Sequence, residues 1–166
     1  MNDLLKKNLF DETKQVLESN GFTIESHDDT RPWGGFFVLP EEQIHKFIEM
    51  FFLNSFYGHI NLTGKLSPKI LLVAPNKRLS WQYHNRRAEL WRVVKGEVQV
   101  VTSETNEEST PRILNSGEHI ALKMGERHRL IGLNDWGVVA EIWQHTDLTH
   151  PSDENDIVRV QDDFGR

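Results

Sequence analysis

The 166 residues suit one compact domain, and 37% hydrophobic content with nine Phe and five Trp supplies enough apolar mass for a real core. A net charge of -6, from 19 Lys and Arg against 25 Asp and Glu, excludes the broad basic field of a nucleic-acid binder. The absence of cysteine excludes a disulfide framework, a thiolate metal site and a Cys nucleophile.

In chain order, MNDLLKKNLFDETKQ is broken by charge every few residues, so it lacks the apolar stretch of a signal peptide. No run approaches membrane-spanning length, and the expectation is a cytoplasmic protein without a membrane partner. Leu5, Leu9 and Val16 fall on one helical stripe with Phe10 and Leu17 beside it, and Asn20-Gly21 supplies the stop. Residues 1–30 are therefore read as an N-terminal helical extension ahead of a domain spanning 31–166. Pro40-Glu41-Glu42, followed by Ile44, Phe47, Ile48, Phe51 and Phe52, predicts a second helix with acidic residues in its first turn. From Lys69 the period changes. Lys69–Ala74, Leu90–Val94, Glu97–Thr102, His119–Leu122, His128–Ile131 and Val138–Trp143 read as short strands, which makes the body all-β, a sandwich or small barrel. Lys95-Gly96 predicts a tight hairpin, residues 103–111 a polar loop, and Asn115-Ser116-Gly117 a turn. Residues 147–166 carry six acidic and two basic side chains, so most of the excess negative charge lies in the tail.

The chemistry concentrates in the run from Asn76 to Gly96. Period-two alternation puts Gln82 and His84 on one strand face, and a short turn returns Glu89 to it. His128, after Gly117 and Gly125, opens a later strand and completes a candidate set of Gln82, His84, Glu89 and His128. Imidazole and oxygen donors without thiolate suit one divalent ion, zinc first, with Mn, Fe, Co and Ni equally compatible with the spacing.

Asn76, Gln82, His84, Glu89 and Gly96 resemble the first cupin motif, with Asn76 at its leading glycine and Gln82 at its first histidine. Gly117, Gly125 and His128 resemble the second, with Lys123 where proline is usual. Within cupins the chain is similar to the isomerase domain of type II phosphomannose isomerases. Arg31-Pro-Trp-Gly34 looks like that family's opening motif, Lys69-Ile70 like its substrate-side strand, and residues 79–91 (LSWQYHNRRAELW) like its metal strand pair. Asp156-Ile-Val-Arg159, then Asp162-Asp-Phe-Gly-Arg166, looks like its closing signature. The resemblance implies a cupin double-stranded β-helix, a jelly-roll barrel, with one or two N-terminal helices. It departs from the family at Asn85, Arg86 and Leu90, where further histidines are usual, and at Gly132 and Trp143. No Gly-rich nucleotidyltransferase loop is found, so nucleotide-sugar synthesis is not expected.

The reading that follows is a metal-dependent aldose–ketose isomerase acting on a sugar phosphate, with mannose 6-phosphate and fructose 6-phosphate as the pair the resemblance implies. The alternatives are a non-catalytic sugar-binding or regulatory cupin and a metal-dependent oxygenase. Arg31, Lys69, Arg87 and Arg159 are candidate phosphate contacts, with Lys69 and Arg159 preferred, because guanidinium and ammonium groups pair with phosphate oxygens. The base is sought in Glu141 or Lys69, and Arg159 completes the catalytic set. Trp33 is a candidate sugar contact, and of Trp33, Trp81, Trp91, Trp136 and Trp143 at most one or two are expected in the pocket. His27, His45, His59, His119, His145 and His150 have no spacing for ligation. The partner is a small sugar phosphate and not nucleic acid, and a homodimer is the expected assembly.

Overall fold

The computed structural model describes residues 2–52 and 60–165, which leaves His59 and Arg166 outside it. Helix α1 (Asn2–Ser19) ends as Asn20-Gly21 foretold. Gly21 takes φ +75°, its N–H donates to Glu18 O and the Phe22 N–H to Leu17 O, which ties off the last carbonyls and brings Phe22 against Leu17. That closure decides which face is buried. Phe10 and Leu17, seven residues apart, enter the core, whereas Leu5 and Val16 stay 56% and 52% exposed, contrary to the expected stripe. The Phe10 ring, 5.5 Å from that of Phe37, outweighs the smaller aliphatic residues in setting the face. A short 3-10 turn (Glu41–Gln43) leads into α2 (Ile44–Phe51), which buries Ile44, Phe47, Ile48 and Phe51 as its spacing predicted.

Among the described residues, eleven strands follow the helices or intervene between them: β1 (Ser26–Asp28), β2 (Gly34–Val38), β3 (Leu66–Val73), β4 (Trp81–His84), β5 (Arg87–Lys95), β6 (Glu97–Ser103), β7 (Arg112–Asn115), β8 (His119–Leu122), β9 (Arg127–Gly132), β10 (Gly137–His145) and β11 (Ile157–Gln161). They form a six-stranded sheet, β1-β2-β3-β10-β5-β8, and a five-stranded sheet, β11-β4-β9-β6-β7, with antiparallel pairing throughout. The jelly roll expected from the resemblance is the architecture observed.

One expected hairpin is absent. Strands β5 and β6 lie in different sheets, so Lys95-Gly96 is a corner that carries the chain from one sheet to the other. Gly96 sits at φ +79°, and a Cβ there would come 2.6 Å from Trp136 O, so glycine serves the corner as it would have served a hairpin. Helix α1 and strand β1 pack into the body. Phe10, Leu17 and Phe22 share a cluster with Phe37, Phe47, Leu72 and Ile142, and β1 extends the six-stranded sheet.

Alternation along the central strands separates two interiors. On β3, Ile70 and Leu72 face the helices, while Leu71 and Val73 face into the barrel. On β10, Val138, Ala140 and Ile142 face the helices and Val139 the barrel; on β5, Leu90 and Trp91 divide the same way. Continued outward along the barrel-facing parity, the residues become Lys69 on β3, Glu89 and Arg87 on β5, and Glu141, Trp143 and His145 on β10. One end of the barrel is filled with hydrocarbon, and the other is polar.

Candidate active site

The polar end of the barrel opens into a cavity. Arg31, Lys69, Arg87, Arg159, Glu89, Glu141 and Gln82 all line it, with Trp33, Trp91 and Trp143 among its apolar walls. Three tryptophans, more than expected, therefore border the cavity. Trp81 is buried away from it, with Nε1 donating to Asn106 O, and Trp136 packs against the helix-side core.

Register places the donors. Gln82 on β4 lies opposite His128 on β9, and Trp143 on β10 lies opposite Glu89 on β5. The His84 and His128 Nε2 atoms are 3.2 Å apart, and Glu89 approaches them at 3.1 Å through Oε1 and 3.4 Å through Oε2, with all three side chains buried. His84 Nδ1 faces the Asp156 carbonyl at 3.3 Å, and His128 Nδ1 faces the Glu126 carbonyl at 2.9 Å. A carbonyl only accepts, so both Nδ1 atoms carry the proton and both Nε2 lone pairs turn inward. Two lone pairs and a carboxylate facing one another form a donor set that could hold a cation. Donors roughly 3–3.5 Å apart also match ligands held at about 2.1 Å around a small divalent ion. The residues therefore fit the expected metal, and among the described residues this His-Glu-His group is the one whose donor atoms lie within 4.8 Å of one another. Gln82 borders the same cavity, with its Oε1 accepting the Ser80 hydroxyl.

A layer of hydrogen bonds fixes these donors. Arg87 gives Nε to Glu89 Oε1 at 2.8 Å and Nη1 to Ser152 Oγ at 2.9 Å, while its Nη2 lies 3.2 Å from His84 Nε2. Proposed from sequence as a substrate contact, Arg87 spends most of its donors on the protein. Asp156 accepts from the backbone N–H groups of Asn85 and Arg86 and from Ser152 Oγ, so its carboxylate clasps the turn between β4 and β5 while its carbonyl orients His84. The sequence signalled Asp156 only as part of a closing motif. Glu154 gave no signal, being one charge among many in an acidic tail, yet it meets Lys69 at 3.1 Å.

Electrostatics divides the two buried glutamates. Burial raises the Glu89 carboxyl, but the facing His84 imidazole and the Arg87 guanidinium outweigh it and hold Glu89 well below the usual carboxylate range. Burial, then the charge of Glu89, pushes Glu141 up to about 8, against the opposing pull of Lys69 and Arg87. The Trp91 indole N–H links them, 3.1 Å from Glu89 Oε2 and 3.0 Å from Glu141 Oε1.

A profile described as "Mannose-6-phosphate isomerase C-terminal" matches residues 41–162. The chain belongs to the mannose-6-phosphate isomerase C-terminal family. Over 110 residues it is 30% identical to the alginate biosynthesis protein AlgA of Pseudomonas aeruginosa, covering 66% of this chain and 21% of that protein. The xanthan biosynthesis protein XanB of Xanthomonas campestris pv. campestris matches at 30% over 110 residues, 66% of this chain and 22% of its own length. The match thus spans about one fifth of the length of these curated relatives. Among solved structures, an oxalate decarboxylase variant from B. subtilis superposes with TM-score 0.59 at 12% identity, over 81% of this chain and 30% of that one. KdgF from Halomonas sp. superposes with TM-score 0.54 at 13% identity, over 79% of this chain and 92% of its own. At such identities these neighbours speak for the fold, which is the cupin barrel.

His145, read from sequence as structural or exposed, is buried beside the cavity. Its Nδ1 accepts the Ser152 N–H at 2.9 Å, and its Nε2 meets Ser67 Oγ at 2.8 Å. Burial, with the charges of Lys65 and Arg87, lowers it from 6.5 to about 4. Between those values the unfolded chain binds the proton and the folded one does not, so stability is full above pH 6.5 and falls as the pH drops toward 4. In urea titrations across that window, His145→Gln should show a shallower loss of stability than the parent. Equal slopes would contradict the assignment.

Proposed function

We propose that the protein is a metal-dependent aldose–ketose isomerase acting on a sugar phosphate, with mannose 6-phosphate and fructose 6-phosphate as the pair to test first. The observation that carries this reading is the His84, Glu89 and His128 donor set, whose Glu89 lines a cavity that Glu141, Lys69, Arg31 and Arg159 line as well. In a chain of this family, one small cavity then holds a Lewis-acid site, an acid–base group and cations for an anionic handle.

The reaction moves a proton between C1 and C2 through an enediol, which requires a base near those carbons and stabilisation of developing negative charge. His84, Glu89 and His128 would hold the ion, with Gln82 beside them, and when bound it would polarise the sugar oxygens. Glu141 is assigned the proton transfer. An ion held at Glu89 would offset that charge, which is one of the two causes that raise Glu141. Trp91 fixes its orientation, and the walls formed by Trp33 and Trp143 exclude water around the sugar. Lys69, Arg31 and Arg159 are assigned to the phosphate.

Mannose 6-phosphate incubated with the metal-loaded protein in deuterated water should give fructose 6-phosphate with deuterium at C1 or C2, and both should vanish with chelator. Binding without conversion, for every aldose and ketose phosphate tried, would favour the non-catalytic cupin. Product formed only in the presence of O2 would favour the oxygenase.

A further inference from the structure

Lys69 is buried, yet its ammonium group meets a carboxylate that reaches in from the rim. The Glu154 side chain, 59% exposed, lies 3.1 Å from Lys69 Nζ. The surroundings of that carboxylate are cationic. Lys69 Nζ and Arg87 Cζ each lie 3.5 Å from the centre of the Trp143 ring, and Arg31 and Arg159 line the same cavity. Partial desolvation raises the Glu154 carboxyl, but Lys69, Arg87 and Arg31 together draw it below its ordinary range. Donors are in surplus as well, because Trp143 Nε1 and Arg159 Nε are buried without an acceptor among the described residues. A buried donor without an acceptor costs free energy, and a ligand rich in acceptor oxygens would recover it.

We propose that Glu154 is a built-in anion that occupies the cavity's anion subsite, and that an incoming phosphate group displaces it from Lys69. This rests on the reading of the ligand as a sugar phosphate and adds how the site screens for charge. The pair is built to open. Its lysine is fixed in β3, whereas its glutamate begins a single 3-10 turn, Glu154–Asp156, and already reaches solvent. Asp156, two residues on, is held by Asn85, Arg86 and Ser152, so Glu154 can rotate outward while the clasp on the β4–β5 turn stays shut. A dianionic phosphate offers Lys69 a stronger charge-assisted partner than one carboxylate does. A ligand without an anionic group leaves Glu154 in place, narrowing the cavity against it. The residue thereby acts on specificity from outside the chemistry.

The test is binding of inorganic phosphate to the metal-loaded full chain, measured by titration calorimetry for the parent, Glu154→Gln, Lys69→Met and the double variant. Glu154→Gln preserves shape and removes the competing charge, so phosphate should bind about tenfold or more tightly. In the Lys69→Met background the same change should matter by less than about twofold, since the contact being contested is gone. Equal or weaker binding by Glu154→Gln would overturn the proposal, as would an undiminished gain without Lys69 or no phosphate binding by Glu154→Gln at all. The isomerase reading is judged separately by turnover. Tighter phosphate binding without conversion of any sugar phosphate sinks that reading alone, and conversion with phosphate affinity unchanged by Glu154→Gln sinks this one alone.

Discussion

Replacing His84 or His128 by alanine is expected to weaken divalent-ion binding at least about a hundredfold, the upper end of what removing a mere supporting partner does to a metal site. Both imidazoles are locked with Nδ1 on a backbone carbonyl and Nε2 inward, so neither can be replaced by a neighbouring ring. Glu89 is equally constrained between Arg87 and Trp91, and Glu89→Gln should match the histidine variants. Gln82→Ala should cost less, about tenfold, because a neutral amide that already accepts from Ser80 is a weaker donor than imidazole or carboxylate. Each variant should stay folded, since Leu71, Val73, Val93, Val100 and Leu130 fill the barrel independently of the polar end. Competition against a chromophoric chelator measures the affinities, and circular dichroism checks the fold. Full occupancy of His84→Ala or His128→Ala at limiting metal would refute the site.

The His84, Glu89 and His128 cluster was legible because it follows local rules. Alternation put Gln82 and His84 on one face, a short turn returned Glu89, and the glycines at 117 and 125 framed His128. The second helix was legible because its Phe and Ile spacing is one-sided over eight residues. What local rules missed depended on which sheet a strand joined. Lys95-Gly96 has hairpin chemistry, and nothing within the sequence window shows that β6 prefers β9 and β7 over β5. The edge strands β1 and β11 were passed over because their residues are polar or only half-buried, which leaves little hydrophobic alternation to read. Helix α1 misled in another way. Several stripes are possible on a helix with scattered leucines, and the choice came from the Leu17–Phe22 closure and the Phe10–Phe37 contact, both tertiary. At the cavity, sequence supplied Lys69, Arg159 and Glu141 through family likeness, but the roles of Glu154, Asp156 and His145 arise from contacts across 85, 71 and 78 residues of chain.

Glu141→Gln is expected to lower kcat for sugar-phosphate isomerisation by about a hundredfold to ten-thousandfold, the range in which a positioned acid or base contributes. Sequence alone left Glu141 and Lys69 as equal candidates for the base. Geometry separates them. Lys69 Nζ is committed to the Glu154 carboxylate and the Trp143 ring face, which is an anchoring and anion-binding environment. Glu141 is on the neighbouring strand, directly opposite Lys69 in the β3–β10 register and opposite Trp91 in the β5–β10 register, with one Trp91 N–H shared between it and Glu89. Its carboxyl group therefore borders the same cavity as Glu89. Glutamine keeps the volume and the acceptor for Trp91 but cannot take a proton, so KM should change little while kcat and solvent deuterium incorporation fall together. Lys69→Met should show the reverse pattern, a raised KM for the phosphorylated sugar with a smaller effect on kcat. If Glu141→Gln turns over within tenfold of the parent and still exchanges deuterium, the proton is carried by another group. If Lys69→Met instead abolishes exchange at saturating substrate, that group is Lys69.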